Sequence, residues 1–132
     1  MELIHEDLSK KLIEIYYRVY NELSYGFLER VYKNAMCYEL RAEGLPFTVE
    51  KQVVVHYKGA IVGDYRTDIV VDNKIMLELK AAESLVHAHE IQLLNYLRCT
   101  EVEIGFLMNF GKTPQFSRKI YTNDRKSHLK KG

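Results

Sequence analysis

Asp68, Glu78 and Lys80 stand in a part of the chain where apolar, β-prone residues leave little room for charge. The run Ile75-Met76-Leu77-Glu78-Leu79-Lys80-Ala81 alternates as a strand. Ile75, Leu77 and Leu79 then share one face, and Met76, Glu78 and Lys80 the other. A carboxylate and an ammonium thus lie side by side on a strand that reads as buried, and desolvated charge is costly unless paired or bound to a metal. The preceding run, Asp64-Tyr65-Arg66-Thr67-Asp68-Ile69-Val70-Val71, places Asp64, Arg66, Asp68 and Val70 on one face. A turn at Asp72-Asn73-Lys74 can then bring Asp68 beside Glu78. Two hard carboxylates and an ammonium on one sheet face suit a divalent cation and an activated water. Read structurally, the same cluster is a buried ion-pair network.

Two helical segments carry further polar groups. Glu29 is spaced with Tyr32 and Met36 at i, i+3, i+7, which puts a carboxylate on a partly apolar stripe. Its structural alternative is a boundary residue that reaches solvent or pairs with Lys33 at i+4. His89, Gln92 and Tyr96 share one face of a later helix, where ordinary hydrogen-bonded packing is the plainer reading.

The elements that must position these groups follow from periodicity. Residues Glu6 to Leu23 place Leu12, Ile13, Tyr16, Tyr17 and Tyr20 at helical spacing. A second helix starts at Ser24-Tyr25-Gly26, with a stop at Gly44 and Pro46 just beyond. Phe47–Tyr57 reads as one strand, with Lys58-Gly59 as a hairpin signal into Ala60–Val71. After the Glu78 strand come a helix over Val86–Arg98, a strand near Glu103–Asn109 and a short strand near Phe116–Tyr121. The order ααβββαββ indicates an α/β domain with a mixed sheet covered by helices.

At 132 residues, with 47% hydrophobic and 28% charged side chains, the chain is expected to form one domain over residues 1–132. No apolar run approaches the roughly 20 residues that span a bilayer, and a signal-peptide pattern is missing from the N-terminus, so a cytoplasmic protein is expected. Cys37 and Cys99 are isolated and lack metal-ligand spacing, as expected of incidental thiols in a reducing compartment. The net charge of +1 conceals an asymmetry. Of nineteen basic residues, seven lie in 112–132 (Lys112, Arg118, Lys119, Arg125, Lys126, Lys130, Lys131) beside Asp124 as the one acid, which leaves residues 1–111 at −5. A basic tail over about 122–132 can contribute phosphate contacts from Arg125, Lys126, Lys130 and Lys131, or can be a solvated terminus.

Taken together, Gly26-Phe27-Leu28-Glu29-Arg30-Val31-Tyr32 resembles the signature of the GxxExxY proteins. Asp68, Glu78-Leu79-Lys80 and Gln92-Leu93-Leu94-Asn95-Tyr96 resemble the core of the PD-(D/E)XK nuclease superfamily, in the order that superfamily requires. Thr67 stands where the motif's proline would precede Asp68. The resemblance implies a restriction-endonuclease-like core, with a central mixed β-sheet flanked by helices. It implies Mg²⁺ or Mn²⁺ held by Asp68, Glu78 and the Leu79 carbonyl, with Lys80 activating water and Glu29 orienting it. It also implies Gln92 and Tyr96 holding Lys80 and a phosphate. The expected function is metal-dependent hydrolysis of DNA or RNA, by a homodimer or with a partner subunit that completes the nucleic-acid surface. The alternative is a nuclease-like binding or assembly module without turnover.

Overall fold

A computed structural model describes residues 4–126. Two helices open the chain, α1 (Glu6–Leu23) and α2 (Glu29–Ala42). Five strands follow: β1 (Phe47–Val49), β2 (Gln52–Tyr57), β3 (Ala60–Arg66), β4 (Ile69–Val71) and β5 (Ile75–Lys80). Then come α3 (His87–Arg98), β6 (Ile104–Phe110), β7 (Pro114–Ile120) and a short 3₁₀ turn (Asn123–Arg125). The central sheet has the order β1-β4-β5-β6-β7, with β5 and β6 parallel and the other neighbours antiparallel. It is a mixed sheet flanked by helices, as the sequence indicates.

The alternation of β5 sorts its side chains as expected. Ile75, Leu77 and Leu79 join Ile69, Val71, Ile104, Phe106, Met108 and Phe110 under α1 and α2. On the opposite face, Met76 packs with Val70, Leu107, and Leu93 and Leu97 of α3. Gly105 lets α3 sit low on that face, since a Cβ there would meet Leu93 Cδ1 at 2.7 Å. The buried stripe of α1 is Leu12, Ile15, Tyr16 and Val19, and Tyr17 is turned outward, so the true stripe is rotated from the expected one. Tyr16 anchors α1 to the sheet: its hydroxyl donates to Asn109 O and accepts from Gln115 N at 3.0 Å.

The three strands expected between α2 and α3 are five. The segments 47–57 and 60–71 each break once, where the paired backbone kinks while keeping its antiparallel register. Thr67 N donates to Lys51 O at 3.0 Å and Glu50 N to Asp68 O at 3.2 Å, with Glu50 in a left-handed conformation. Beyond this kink β2 and β3 leave the central sheet as a separate two-stranded hairpin. Both tight turns have two consecutive positive φ angles, at Lys58-Gly59 and Asp72-Asn73, which matches the twist of the flanking strands. Helix α2 begins at Glu29 rather than Ser24 for an equally local reason. Gly26 takes φ +109°, and the Tyr32 hydroxyl donates to Ser24 O at 2.7 Å and accepts from Phe27 N at 3.2 Å, which holds the preceding loop out of the helix.

Candidate active site

Asp68 lies at the kink between β3 and β4, where it no longer has to obey strand alternation. Its backbone N–H donates to Glu78 Oε1 at 3.0 Å, and its own Oδ2 accepts from Leu79 N at 2.8 Å. This mutual clasp fixes both carboxylates and leaves Asp68 Oδ1 and Glu78 Oε2 outside those two bonds. The sequence expectation that Asp64 and Arg66 share a sheet face with Asp68 does not hold. They belong to the hairpin, where Asp64 Oδ1 accepts from Gln52 Nε2 at 3.1 Å.

The electrostatics are those of crowded negative charge in a dry place. Glu78 is 6% exposed, and its carboxyl is pushed up to about 8. Burial is the main cause, the charge of Asp68 adds to it, and Glu29 contributes a smaller push in the same direction. The Asp68 N–H and the ammonium of Lys80 act the other way. Lys80 is half-buried on the same strand face as Glu78 and pairs in register with Asn109 of β6. Glu29, at the first turn of α2, is exposed, yet its field reaches Glu78. On α3, Gln92 Nε2 donates to the Tyr96 hydroxyl at 3.1 Å, and burial together with the charge of Glu78 raises the Tyr96 pKa. Asp68, Glu78, Lys80, Glu29, Gln92 and Tyr96 thus come from four places in the chain and share one electrostatic neighbourhood. His89 is apart from them, accepting from Val86 N at the start of α3.

One positioning residue escaped the sequence reading. Asn109, fully buried, grips Ala82 from both sides: its Oδ1 accepts from Ala82 N and its Nδ2 donates to Ala82 O, each at 2.9 Å. This fixes the exit of β5 two residues beyond Lys80. A signal for it was present, since an amide in an otherwise apolar strand must find partners when buried. Gly111 belongs to the same device, because a Cβ there would lie 2.5 Å from Ala82 O.

The basic tail needs a correction. Lys126 is 1% exposed, and its ammonium donates to Thr100 O and Val102 O at 2.9 and 2.8 Å. Burial lowers its pKa, and it is a tether for the chain end rather than a free phosphate contact. Arg125 is exposed and lies over the Tyr121 ring at 4.3 Å, whereas Lys130 and Lys131 lie outside the described residues.

As a cation site, the donors on offer would be the Asp68 and Glu78 carboxylates, joined by a backbone carbonyl. Among the described residues no group of three or more acidic, His or Cys side chains is gathered to hold a metal. Such a set fits a small hard cation that keeps most of its water, and poorly fits one that needs a full protein cage. Positive charge placed between Asp68 and Glu78 would offset both the burial and the Asp68 repulsion that raise Glu78.

A profile of the PD-(D/E)XK nuclease superfamily matches residues 6–120. Among solved structures, the crystal structure of SSO0001 is similar with a TM-score of 0.58 at 16% identity, covering 76% of this chain and 54% of that one. That is a likeness of fold, and this chain spans about half the length of SSO0001. An alkaline exonuclease (LHK-Exo) from Laribacter hongkongensis gives a TM-score of 0.44 at 9% identity, over 98% of this chain and 77% of that one. No curated protein matches.

Proposed function

Since the chain belongs to the PD-(D/E)XK nuclease superfamily, we propose that it hydrolyses phosphodiester bonds of DNA or RNA with the help of Mg²⁺ or Mn²⁺. The observation that carries this reading is the clasp between Asp68 and Glu78, which holds two carboxylates together beside Lys80 at the cost of raising one of them. Asp68, Glu78 and the Leu79 carbonyl would hold the cation. When bound, it supplies charge to a phosphoryl oxygen and makes water a better nucleophile at neutral pH.

The chain's own residues do the rest. Glu78 must be ionised to act as a ligand, and Lys80 favours that form. The Lys80 ammonium, fixed on a rigid strand, also offers a donor to negative charge developing on the phosphate, and preorganised donors are worth most in a desolvated site. Glu29, whose charge is felt at Glu78, would accept a hydrogen bond from a water at the site. The Gln92–Tyr96 pair presents an amide and a hydroxyl from the α3 side. The Gly26-x-x-Glu29-x-x-Tyr32 signature has a physical sense here, since Gly26 and Tyr32 shape the loop that sets where Glu29 begins its helix. It supports a place among the GxxExxY proteins, with residues 1–132 acting as one nuclease-like unit.

A second reading is favoured by one observation. Phe27 and Leu28, immediately before Glu29, are 48% and 68% exposed, and Tyr25 is also exposed. Apolar surface at the rim of a site suits a second subunit, as in a homodimer or a nuclease-like module acting through a partner.

Purified protein incubated with single- and double-stranded DNA and RNA in Mg²⁺ or Mn²⁺ tests the first reading. We expect cleavage by the wild type and a loss of about 1,000-fold or more in Glu78→Ala and Lys80→Ala. No cleavage in any divalent metal, together with no Mn²⁺ binding by calorimetry, would leave the second.

A further inference from the structure

The β2–β3 hairpin and α3 enclose two cavities of about 410 and 380 Å³ that share Val55, Arg98 and Cys99. The first is lined by Gln92 and Tyr96, so it opens from the candidate active site, with Tyr65 of β3 across from α3. The second continues to Tyr121, Arg125 and the buried Lys126. Resting on the nuclease reading above, we infer that this continuous groove is the track of one single-stranded stretch of the nucleic-acid substrate, which enters past Arg98 and Arg125 and reaches the carboxylates at Tyr96.

Three observations carry the inference. The first is charge. Residues 1–111 are net acidic, yet no Asp or Glu lines either cavity, while Arg98, Arg125 and Lys126 do. Arg98 and Arg125 are exposed and form no ion pair with a carboxylate among the described residues, so both are available to phosphates. The second is aromatic surface. Tyr65 is 48% exposed and sits 5.6 Å from Tyr96, centroid to centroid. Farther along, Arg125 and Tyr121 make a flat cation–π plate. Aromatic rings alternating with cations are what a single strand with unpaired bases uses, whereas the bases of a duplex are already stacked. The third is shape. The hairpin is held down by Val53, fully buried beside Leu93, Tyr96 and Leu97, so the groove has two walls. A groove walled on both sides suits a single strand better than a duplex.

Anisotropy with fluorescein-labelled oligo(dT) and oligo(U), and with a blunt duplex of equal length, tests this on Glu78→Gln protein across about 0.1 to 1 M KCl. Both single strands should bind more tightly than the duplex. The pair Arg98→Ala and Arg125→Ala removes two charges, which should lower the slope of log K against log [KCl] by about 1.4. Over that salt range this amounts to a loss of roughly 25-fold at the low end. Arg98→Lys with Arg125→Lys should keep the slope. Tyr65→Ala should weaken binding by roughly 5-fold or more at every salt concentration, while Tyr65→Phe should not. Melting curves confirm that each variant is folded, and the tyrosine pair decides the matter if the arginine pair is not. A duplex bound as tightly as the single strands, or affinity indifferent to all these changes, overturns the groove. Strand binding that obeys them in a protein that cleaves nothing with Mn²⁺ upholds the groove and sinks the catalytic reading instead.

Discussion

Under α1 and α2, strands β5 and β6 present Ile75, Leu77, Leu79, Ile104, Phe106, Met108 and Phe110, all essentially without solvent contact. Towards α3 the same two strands present Met76, Glu78 and Lys80, with Gly105, Leu107 and Asn109 beside them. The first face is a closed apolar layer, stacked further by Tyr32 lying 4.2 Å from Phe110. The second is apolar only at its β5 start and becomes ionic towards the end that carries Lys80. A period of two lets one strand serve both purposes, because neighbouring residues never compete for the same environment. The difference has a consequence for mutation. Changes at the apolar residues of either face should cost stability, and changes at the charged end of the α3 face, Glu78 and Lys80, should cost chemistry and can even stabilise.

The sharpest test of that division is Lys80→Ala, which should lower phosphodiester cleavage by about 1,000-fold while shifting the urea midpoint little. Matching losses of activity and stability would break the comparison. Next in size is Leu77→Ala, one residue away from Glu78 and on the other face. We expect a loss of about 3 kcal/mol in urea unfolding, since a fully buried leucine leaves a cavity, with kcat retained in the protein that stays folded.

Glu78 gives the third test through pH. Its folded-state pKa, raised from 4.5 to about 8, means that the metal-free folded protein holds a proton the unfolded chain has released. Stability should therefore fall as pH rises from about 4.5 to 8 and level off above that. Glu78→Gln should abolish this slope and make the metal-free protein more stable than wild type at pH 8, by up to about 4 kcal/mol. Mn²⁺ should reverse the trend in wild type alone. A flat wild-type profile in chemical denaturation would show that the carboxyl is not desolvated as the geometry requires.

Asn109→Ala tests the clamp on Ala82. It should cost about 1–2 kcal/mol in stability through two lost buried hydrogen bonds, and reduce kcat more than KM because Lys80 loses its anchored strand exit. The smallest effect belongs to Glu29→Gln. Carboxyl-detected NMR should show the Glu78 pKa moving down slightly, Asp68→Asn should move it down further, and Lys80→Met should move it up.

Sequence alone reached much of this. The alternation in 75–80 is a local property, so the facing of Glu78 and Lys80, and of Leu77 away from them, could be read without a fold. The turns at Lys58-Gly59 and Asp72-Asn73 and the stop at Gly44 are likewise set by residues within a few positions of one another. The order of helices and the mixed sheet follow from such local signals placed end to end. What tertiary structure decided are the features that depend on distant partners. Asp68 reaches Glu78 at a kink where Thr67 and Asp68 pair with Lys51 and Glu50, with Glu50 left-handed, which ends β3 early and sends the hairpin off the sheet. No periodicity within 60–71 could announce that break. Lys126 reads as a solvated tail cation, yet the backbone carbonyls of Thr100 and Val102, left pointing at it, draw its ammonium inside. Alternation tells a side chain which way to face, but burial and pairing depend on what the rest of the chain sets against that face.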